Sequence, residues 1–593
     1  MQVFMQSVVD KYQASSTRLL HILRELQTEF QHISPEAIEF LATALKIERT
    51  QIISVVEFYS FLHLTPQGKY DLLISDSITD QMLGKQALIE FASQLLQVGI
   101  SEVRADGLVS LNNTSCTGMC DQGPAGLING YALTHLNESH IKTIHVLIEH
   151  QVAVAEWPDD LFTVNDNIQQ SNLLLDHEIK QGTAIAASLQ RGLPATLVEI
   201  DISGLRGRGG AGFKTAMKWR FCSEEPETER YVVCNADEGE PGTFKDRVLL
   251  NTYAHQVFEG MTLCAGIIGA EQGFLYLRAE YLFLYQKLLA TLAERRSNNL
   301  LGNNILQQGL NFDIEIRLGA GAYICGEESA LIESLEGKRG IPRNRPPYPV
   351  SQGYLNKPTV VNNVETFFAA AKIAIEGGQW FADVGTEQSQ GTKILSISGD
   401  CQRPGIYEYP FGTQIMQILN DCGAKNVLGV QVGGPSGTFI SSAEFKRTLA
   451  FEDLATGGSF IIFNQSRNIL DIVKNFTHFF AHESCGFCTP CRVGTSLLQK
   501  QLDKIVDGHG SAGDVAALEE LCQLVNSNSH CGLGQTAANP ILTTLERYPE
   551  LYAKQLKDVS YEPGFDLDAS CATTRRLANR DDAGAHLAQV EES

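Results

Sequence analysis

The densest chemistry in this sequence is a group of cysteines near its carboxyl end. The segment ESCGFCTPCRVG places Cys485, Cys488 and Cys491 in a C-x2-C-x2-C pattern, and Cys531 follows in SNSHCGLGQ. Three thiolates on one short loop with a distant fourth match the ligands of a [4Fe-4S] cluster. Zinc sites favour two separate C-x2-C pairs, and a chance group of buried free cysteines rarely has this spacing. We therefore predict that these four cysteines ligate a [4Fe-4S] cluster.

A second candidate site is the glycine-rich segment SGLRGRGGAGFKTAMKW. It contains Gly207, Gly209 and Gly212 as G-x-G-x-x-G, after the strand-like LVEIDIS and before a helix-like stretch. Backbone amides left bare by glycine at a helix N-terminus can bind a phosphate or a ring edge, although such a match is weak by itself. Because an iron–sulfur cluster carries one electron at a time, it needs a redox partner, and this segment is a candidate to bind one.

Two acidic segments accompany the glycines. The strand-like YVVCNADEGEPG ends in Asn235 and several carboxylates, which is more acid than a ribose contact needs. The segment GAGAYICGEES places two glutamates at a predicted helix start, where carboxylates also interact favourably with the helix dipole. A solvated turn remains an alternative for such clusters. The carboxylates are Asp237, Glu238, Glu240, Glu327 and Glu328.

The composition is that of a large globular protein with an acidic surface. Of 593 residues 43% are apolar, and 69 acidic against 46 basic side chains give a net charge of -23. A chain of this length is expected to form several domains. The negative surface argues against nucleic acid and anionic lipid as partners.

The N-terminus and the cysteine count predict the compartment. The first residues, MQVFMQSVVDKYQASSTRLL, lack the basic start and apolar core of a signal peptide, and no run of about 18 apolar residues occurs. We expect no membrane insertion and a reducing, cytoplasmic location. There the 14 cysteines would serve metal ligation or burial rather than disulfides.

Periodicity and turn residues predict a multidomain α/β fold. KYDLLIS, LVEIDIS, RYVVCNAD and EIRLGAGAYI are predicted strands, and SPEAIEFLATAL is a predicted helix with Ser34 as its cap and Pro35 in its first turn. The predicted units are a helical segment at 1–65, a small α/β unit at 66–155, a linker at 156–172, an α/β core at 173–385, a β-grasp-like module at 386–470, a helical region at 471–557 and a loosely attached tail at 558–593.

Five ordered motifs resemble the flavin-bearing, NADH-oxidising 51 kDa subunit of respiratory complex I and its relatives. They are RGRGGAGF, CNADEGEPGTFKDR, GAYICGEES, PYPVSQGYLNKPTVVNNVET and the four-cysteine set, and the likeness covers about residues 175 to 555. The resemblance implies a Rossmann-like α/β domain that binds FMN, with NADH stacked on the flavin. It also implies a β-grasp module and a C-terminal helical bundle that carries the [4Fe-4S] cluster.

The resemblance also implies roles for single residues. This chain has Arg345 and Tyr348 where the family more often has Lys and Phe, which keeps the charge and the ring. Glu238 and Glu327 would lie between the FMN and nicotinamide sites. FMN would be held by Gly207, Gly209, Gly210, Lys218, Asn235, Asp237, Gly326, Asn362 and Asn363, and the nicotinamide site would be shaped by Phe213, Phe221, Glu240, Glu328, Arg345 and Tyr348.

The N-terminal part, residues 1 to about 155, resembles the thioredoxin-like 24 kDa subunit that carries a [2Fe-2S] cluster in complex I. VVEFYSFL and the C-x3-C pair of Cys116 and Cys120 carry the likeness. Where the family has a C-x4-C pair, this chain has Ser75 and Asp80. Two thiolates cannot complete a four-cysteine site. We expect no [2Fe-2S] cluster and a domain kept as a docking scaffold, with ligation by Asp80 left open.

The fusion of a degenerate thioredoxin-like unit to the flavoprotein is similar to the diaphorase subunit of cytoplasmic NAD-reducing [NiFe] hydrogenases. That likeness implies a ferredoxin-like iron–sulfur subunit and the hydrogenase large and small subunits as partners, with H2 oxidation coupled to NAD+ reduction. Hydride passes directly between the two cofactors, so no catalytic acid or base is predicted. The alternatives are the flavoprotein subunit of an NAD-dependent formate dehydrogenase, complex I itself, or a non-catalytic electron-transfer scaffold.

Overall fold

The computed structural model of this protein describes residues 1–557 and 567–580. The chain begins with a bundle of four helices, as the sequence predicts. Ser34 caps the third helix, since its Oγ accepts a hydrogen bond of 3.2 Å from the Ala37 amide, and Pro35 occupies the first turn. The helices are α1 Gln2–Lys11, α2 Leu19–Phe30, α3 Pro35–Leu45 and α4 Arg49–Val56.

A thioredoxin-like unit follows the bundle. Its sheet has the order β2-β3-β1-β4-β5, with β1 parallel to β3 and antiparallel to β4. The predicted strand KYDLLIS is confirmed as β1, and β4 and β5 form a hairpin. The elements are β1 Tyr70–Ser75, α5 Ile78–Met82, α6 Lys85–Leu96, β2 Glu102–Val103, β3 Val109–Thr114, β4 Gly126–Ile128, β5 Tyr131–Leu133 and α7 Glu138–Glu149.

The central domain is a sheet of the order β11-β7-β8-β10-β9, in which all neighbours except β9 are parallel. The elements, in chain order, are α8 Thr183–Arg191, α9 Leu193–Ile202, α10 Thr215–Glu224, β7 Tyr231–Ala236, α11 Lys245–Thr252, α12 Ala254–Ile268, β8 Gln272–Leu277, α13 Tyr285–Ser297, β9 Gly302–Ile305, β10 Leu310–Leu318, α14 Glu328–Leu335, α15 Pro349–Gln352, β11 Thr359–Asn363, α16 Val364–Glu376 and α17 Gly378–Ala382.

The N-terminal bundle is a layer of this central domain. Along β7, Val232 and Cys234 pack into the core that contains α12 and α16, whereas Tyr231 and Val233 pack into the core that contains α1 to α4. A parallel sheet is apolar on both faces and needs cover on both. The segment predicted as a separate helical unit therefore closes one face of the central sheet.

The strand predicted at LVEIDIS is wrong, because this stretch lies in helix α9, Leu193–Ile202. Gly192, at φ 92°, and a proline in the first turn begin the helix. Thr196 and Ile200 are buried and four residues apart, while Val198 and Ile202 are exposed. The spacing of apolar residues that predicted a strand also fits a helix with one apolar face. Tertiary packing stabilises the helix.

The β-grasp-like module is a six-stranded sheet of the order β15-β14-β16-β12-β13-β6. Its edge strand β6, Ile168–Gln170, comes from the segment predicted as a linker and pairs parallel with β13. A three-residue strand between polar residues gives too short a pattern to recognise in a sequence. The other elements are β12 Thr392–Gly399, β13 Gly405–Pro410, α18 Ile415–Asp421, β14 Val427–Val432, β15 Thr438–Ser441 and β16 Ser459–Asn464.

The carboxyl-terminal region is helical, as predicted. Residues 558–566 and 581–593 of the predicted tail lie outside the described residues, and residues 567–577 form a helix. Within the described part of the chain, none of the helices has the length and apolarity needed to cross a bilayer. The helices are α19 Ile469–Glu483, α20 Thr489–Val506, α21 Ala512–Asn528, α22 Gly532–Thr536, α23 Asn539–Arg547, α24 Pro549–Ala553 and α25 Leu567–Leu577.

A two-point ion pair joins the β-grasp module to this helical region, and we predict that it stabilises the protein. Arg547 Nε and Nη2 donate to the two oxygens of Glu444 over 2.6 and 2.8 Å. These hydrogen bonds lower the pKa of Glu444 from 4.5 to about 2. The stabilisation is therefore full above pH 4.5 and is lost as the pH falls towards 2. We expect Glu444→Gln to reduce the free energy of unfolding by about 1 kcal/mol at pH 7.

Thermal melts at pH 7 and at pH 3 measure this effect, and the difference from wild type should shrink at the lower pH. Glu546→Gln is the matched control, because Glu546 contacts the same Arg547 but its side chain is 73% exposed. Equal melting temperatures for the two variants at pH 7 would contradict the assignment.

Candidate functional site

The candidate flavin site lies at the carboxyl ends of two neighbouring parallel strands. Asn235 is the next-to-last residue of β7 and stands in register with Asn363 at the end of β11. Ligands of open α/β sheets bind at this edge. Helix α16 begins directly after Asn363, whose side chain accepts a hydrogen bond from the Glu365 amide. The N-terminus of α16 and the carboxyl ends of β7 and β11 therefore lie at the same edge of the sheet.

The glycine loop beside these strand ends, residues 207–212, has a backbone that side chains do not cover. Additional Cβ atoms on Gly207 and Gly209 would meet their nearest protein atoms at 3.6 and 3.4 Å, and one on Gly210 would meet nothing within 4 Å. Gly212 differs, because its Cβ would lie 2.6 Å from the Phe451 ring. Packing against protein atoms therefore requires glycine at Gly212 but not at Gly207, Gly209 or Gly210. The space beside these three glycines is open to a ligand.

A single carboxylate gives a second test of whether FMN fits. Asp237 Oδ2 is buried and has no hydrogen-bond partner among the described residues, and burial raises the pKa of this group well above its usual value. Beside it, the Asn235 amide donates to the Gly326 carbonyl over 2.8 Å. A hydroxyl or ring N–H of a flavin would satisfy the orphaned acceptor. The site thus has the bare backbone and the free acceptor that FMN needs.

Two basic residues converge near this edge, although the protein as a whole is acidic. Lys218 Nζ lies 2.8 Å from Glu328 Oε2 and donates to the Val361 carbonyl over 3.1 Å. Arg345 Nη1 lies 3.4 Å from Glu327 Oε1 and 3.8 Å from Glu328 Oε1. Glu327 also caps α14, since it accepts from two amides of that helix. These two cations and two glutamates therefore form one alternating group, which offers a local cation to a phosphate.

Three aromatic side chains of the predicted nicotinamide site are exposed. Phe213, Phe221 and Tyr348 are 47%, 44% and 55% accessible to solvent. Phe213 belongs to the glycine loop and Phe221 to α10, which packs against α15 directly after Tyr348. Exposed rings are poor core residues but good partners for a planar ligand. Their availability is consistent with the predicted stacking role.

Glu238 and Glu240 have structural partners in the protein. Glu238 is buried and accepts from the Asp246 and Arg247 amides and from the Tyr281 hydroxyl, and burial raises its pKa to about 7. Glu240 accepts from the Tyr323 hydroxyl and from Ser436 of the β-grasp module. Both carboxylates thus hold neighbouring elements in place beside the candidate site, and their contact with a nucleotide stays a prediction.

Sequence reasoning missed a buried group of charges behind Asn363. Lys245 Nζ lies 2.6 Å from Asp246, 3.1 Å from Asn363 Oδ1 and 3.2 Å from Glu365. Lys393 pairs with the same Glu365. Lys245 and Asp246 belong to the motif CNADEGEPGTFKDR, which the sequence analysis singled out. The motif does not show that these two side chains are buried. Alternating buried charges of this kind fix the side chains they contact.

The four predicted cluster ligands line one pocket. Cys488 and Cys531 occupy the positions directly before α20 and α22, Cys491 lies in the first turn of α20, and Cys485 follows α19. Within residues 1–557 and 567–580, no group of three or more His, Cys, Asp or Glu side chains is arranged to hold a single metal ion. The remaining lining residues are Ile324, Pro342, Phe487, His530 and Leu533.

The surroundings of the sulfurs suit a cluster. The His530 amide donates to Cys488 Sγ over 3.5 Å, and the Ser484 hydroxyl lies 3.2 Å from Cys491 Sγ. Burial raises the pKa of Cys531 to about 11 and that of Cys491 to about 12, so bound iron would have to displace their protons. Four thiols with amide and hydroxyl donors form the donor set of a [4Fe-4S] cluster.

One short turn connects the two candidate sites. The 3₁₀ turn Tyr323–Gly326 places Ile324 in the lining of the cysteine pocket and Gly326 on the Asn235 amide at the strand ends. Two residues of a 3₁₀ turn span about 4 Å. A cleft of about 820 Å³ is also lined by both Asp237 and Cys485. The two sites are therefore close neighbours.

The thioredoxin-like site does not fit a [2Fe-2S] cluster. Asp80 is buried and accepts from the Ser75 hydroxyl over 2.5 Å, from the Ser77 hydroxyl over 2.7 Å and from the Ala125 amide over 2.9 Å. Burial raises the pKa of Asp80 to about 6. Its oxygens are engaged by the protein, so ligation by Asp80, which the sequence left open, has no support.

Filling the space above the glycine loop should reduce flavin binding without unfolding the protein. Gly209→Ala adds a methyl group that meets only the Asn363 side chain, at 3.4 Å. We expect stability within about 1 kcal/mol of wild type and FMN affinity lower by about tenfold or more, measured by flavin fluorescence. Gly513→Ala, in an exposed stretch of α21, is the control. If Gly209→Ala binds FMN with the affinity of wild type, the glycine loop is not part of the flavin site.

Removal of two predicted ligands should abolish the cluster. Anaerobically prepared Cys488→Ser/Cys531→Ser should lose the iron and acid-labile sulfide that the wild type contains, because two thiolates cannot hold a [4Fe-4S] cluster. Cys522→Ser is the control, since Cys522 is buried in the same helical region but does not line the pocket. Undiminished iron in the double variant would refute the assignment.

Comparisons with known proteins confirm the predicted cofactor units. A model described as the Nuo51 FMN-binding domain matches residues 200–372. A model described as the iron-sulfur binding region of NADH-ubiquinone oxidoreductase F matches residues 471–555. A thioredoxin-like [2Fe-2S] ferredoxin model matches residues 5–148, the part of the chain in which the cluster ligands are incomplete.

Relatives similar over nearly the whole length identify the family. The alpha subunit of the NAD-reducing hydrogenase HoxS of Cupriavidus necator is 41% identical over 95% of this chain and 96% of its own. The NADP-reducing hydrogenase subunit HndC of Solidesulfovibrio fructosivorans is 41% identical over 62% of this chain and 77% of its own. The crystal structure of an NAD+-reducing [NiFe]-hydrogenase in the H2-reduced state contains a chain that is 40% identical, with a TM-score of 0.88 and coverage of 98% of this chain and 99% of that chain. This chain therefore belongs to the family of NAD-reducing hydrogenase alpha subunits.

Proposed function

We propose that this chain is the diaphorase subunit of an NAD-reducing hydrogenase, which exchanges hydride between NAD(H) and FMN and single electrons with a [4Fe-4S] cluster. The observation that carries the proposal is the turn Tyr323–Gly326, which adjoins the strand ends on one side and the cysteine pocket on the other. When bound, FMN supplies the exchange between two-electron hydride chemistry and one-electron transfer. Adjacent sites suit that exchange.

The chain contributes position and charge rather than an acid or base. Gly207, Gly209 and Gly210 leave backbone free to approach the flavin, and Asn235 holds the turn at the strand end. Lys218, held by Glu328 and the Val361 carbonyl, would offer a positive charge to the FMN phosphate. Alignment of nicotinamide and flavin rings would then bring the reacting atoms together, which is the main requirement of a direct hydride transfer.

The electron route continues to partner subunits. We propose that the [4Fe-4S] cluster exchanges electrons with a ferredoxin-like iron–sulfur subunit. That subunit in turn exchanges electrons with the large and small subunits of a [NiFe] hydrogenase. The likeness of the entire chain to the HoxS alpha subunit supports this arrangement. The relatives named as NADH-quinone oxidoreductase subunits cover 59% to 66% of this chain, so the fused N-terminal part favours the hydrogenase over complex I. A formate dehydrogenase partner is the remaining alternative with the same chemistry.

An anaerobic titration with NADH tests the proposal directly. The purified chain should show flavin absorption that NADH bleaches and, by electron paramagnetic resonance, the signal of a reduced [4Fe-4S] cluster. Cys488→Ser should keep the bleaching but lose the cluster signal, because Cys488 lines the cysteine pocket and none of the predicted FMN residues does, whereas Cys522→Ser should keep both. A colourless chain, or a flavin that NADH does not bleach, would favour the scaffold alternative.

The hydrogenase assignment needs a measurement of the assembled complex. Metal analysis of the complex purified from its native cells should find nickel. Molybdenum or tungsten without nickel would replace the hydrogenase with a formate dehydrogenase, and the proposal for this subunit's own chemistry would stand.

A further inference from the structure

The two cysteines kept from the lost cluster site face each other. Cys116 and Cys120 are 2% and 4% exposed, and their sulfurs lie 3.2 Å apart. The loop between them bends at Gly118, which has φ 76°. A disulfide requires sulfurs about 2.05 Å apart, so closure needs a shift of about 1 Å in this loop.

The rest of the old site has become a closed polar group. Ser75 and Asp80, at the two lost ligand positions, are hydrogen-bonded to each other, and Asp80 also binds Ser77 and the Ala125 amide. These contacts leave Cys116 and Cys120 with each other as the nearest reactive groups. A thiol pair without a metal has one common redox reaction, which is disulfide formation.

We propose that Cys116 and Cys120 form a reversible dithiol–disulfide site in the thioredoxin-like domain, with a small peroxide as oxidant and a dithiol as reductant. One thiolate attacks the peroxide and becomes a sulfenic acid, with release of water or alcohol. The second thiol then displaces water and forms the S–S bond. In total, two thiols lose two electrons and two protons, and the peroxide O–O bond is reduced.

The cleft of about 820 Å³ provides access for a small oxidant. Thr114 and Ser115, directly before Cys116, line this cleft, as does Arg278. The Arg278 side chain also donates to the Cys116 carbonyl over 2.6 Å. A small peroxide can therefore approach within one residue of Cys116.

The pair is linked to the candidate flavin site by direct contacts. A Cβ on Gly118 would lie 2.4 Å from Tyr281 Oη, and the same hydroxyl donates to Glu238 over 2.8 Å. Arg278 contacts both the Cys116 carbonyl and the Glu238 carbonyl. A shift of the loop on closure therefore moves residues that hold the end of β7. Oxidation of the dithiol should change nucleotide binding at that end.

Thiol mapping tests the site independently of NADH oxidation. The complete protein is treated anaerobically with or without hydrogen peroxide, and it is then denatured and alkylated. The masses of its proteolytic peptides are measured by mass spectrometry. The peptide that contains Cys116 and Cys120 should lose two hydrogens and escape alkylation after peroxide, and dithiothreitol should reverse this. Cys234 and Cys264, which are buried single thiols, should be alkylated in both samples. Equal alkylation of all four after peroxide would overturn the proposal.

Two serine variants test the coupling and exclude a cluster. In wild type, peroxide should change KM for NADH by about twofold or more, reversibly, and Cys120→Ser should abolish that response. Cys571→Ser, outside the pair, should respond as wild type does. If Cys116→Ser/Cys120→Ser contains less iron than wild type, the two thiols bind metal and the dithiol assignment is wrong. An unchanged KM after a mapped disulfide would remove the coupling to the flavin site.

Discussion

The contact between Asn235 and the carbonyl of Gly326 is the constraint on which the candidate site depends. It draws the turn Tyr323–Gly326 onto the carboxyl end of β7, and the same turn contributes Ile324 to the cysteine pocket. Electron transfer between two cofactors requires short distances more than any particular side chain. A rigid four-residue turn supplies such a distance because its few residues cannot separate the sites.

The N-terminal fusion has a physical reason in the central sheet. Parallel strands are apolar on both faces, and α12 and α16 cover only one of them. Helices α1 to α4 cover the other, so this part of the chain belongs to the core of the flavoprotein, although the cysteine ligands for a cluster of its own are incomplete. The loss of two cysteine ligands therefore leaves the packing role of the unit intact.

Buried charges connect the thioredoxin-like unit to the region behind the flavin site. Arg247 and Asp121 form an ion pair with both side chains fully buried, and Arg247 also donates to the Gly118 carbonyl. Such a pair adds little to stability relative to an apolar contact, but removal of one partner costs about 3–5 kcal/mol. The pair consequently fixes one docking geometry between the two units, which keeps Glu238 and its neighbours in place.

The sequence alone determined the [4Fe-4S] chemistry, because ligand types and their spacing are local properties, and the resemblance of its ordered motifs to a known family implied FMN and NAD(H). The cysteine pattern at Cys485 to Cys531, the order of the glycine and acidic motifs, and the absence of the C-x4-C pair could all be read without coordinates. Most regular elements were also predicted, since their periodicity is carried by adjacent residues.

Tertiary structure decided what depends on distant contacts. It turned LVEIDIS into a helix, gave the 156–172 segment an edge strand, and made the N-terminal bundle a layer of the central sheet. It also closed Asp80 onto Ser75 and brought two thiols face to face. Local patterns are compatible with several such arrangements, and only the competition for buried surface and for hydrogen-bond partners across the fold selects one.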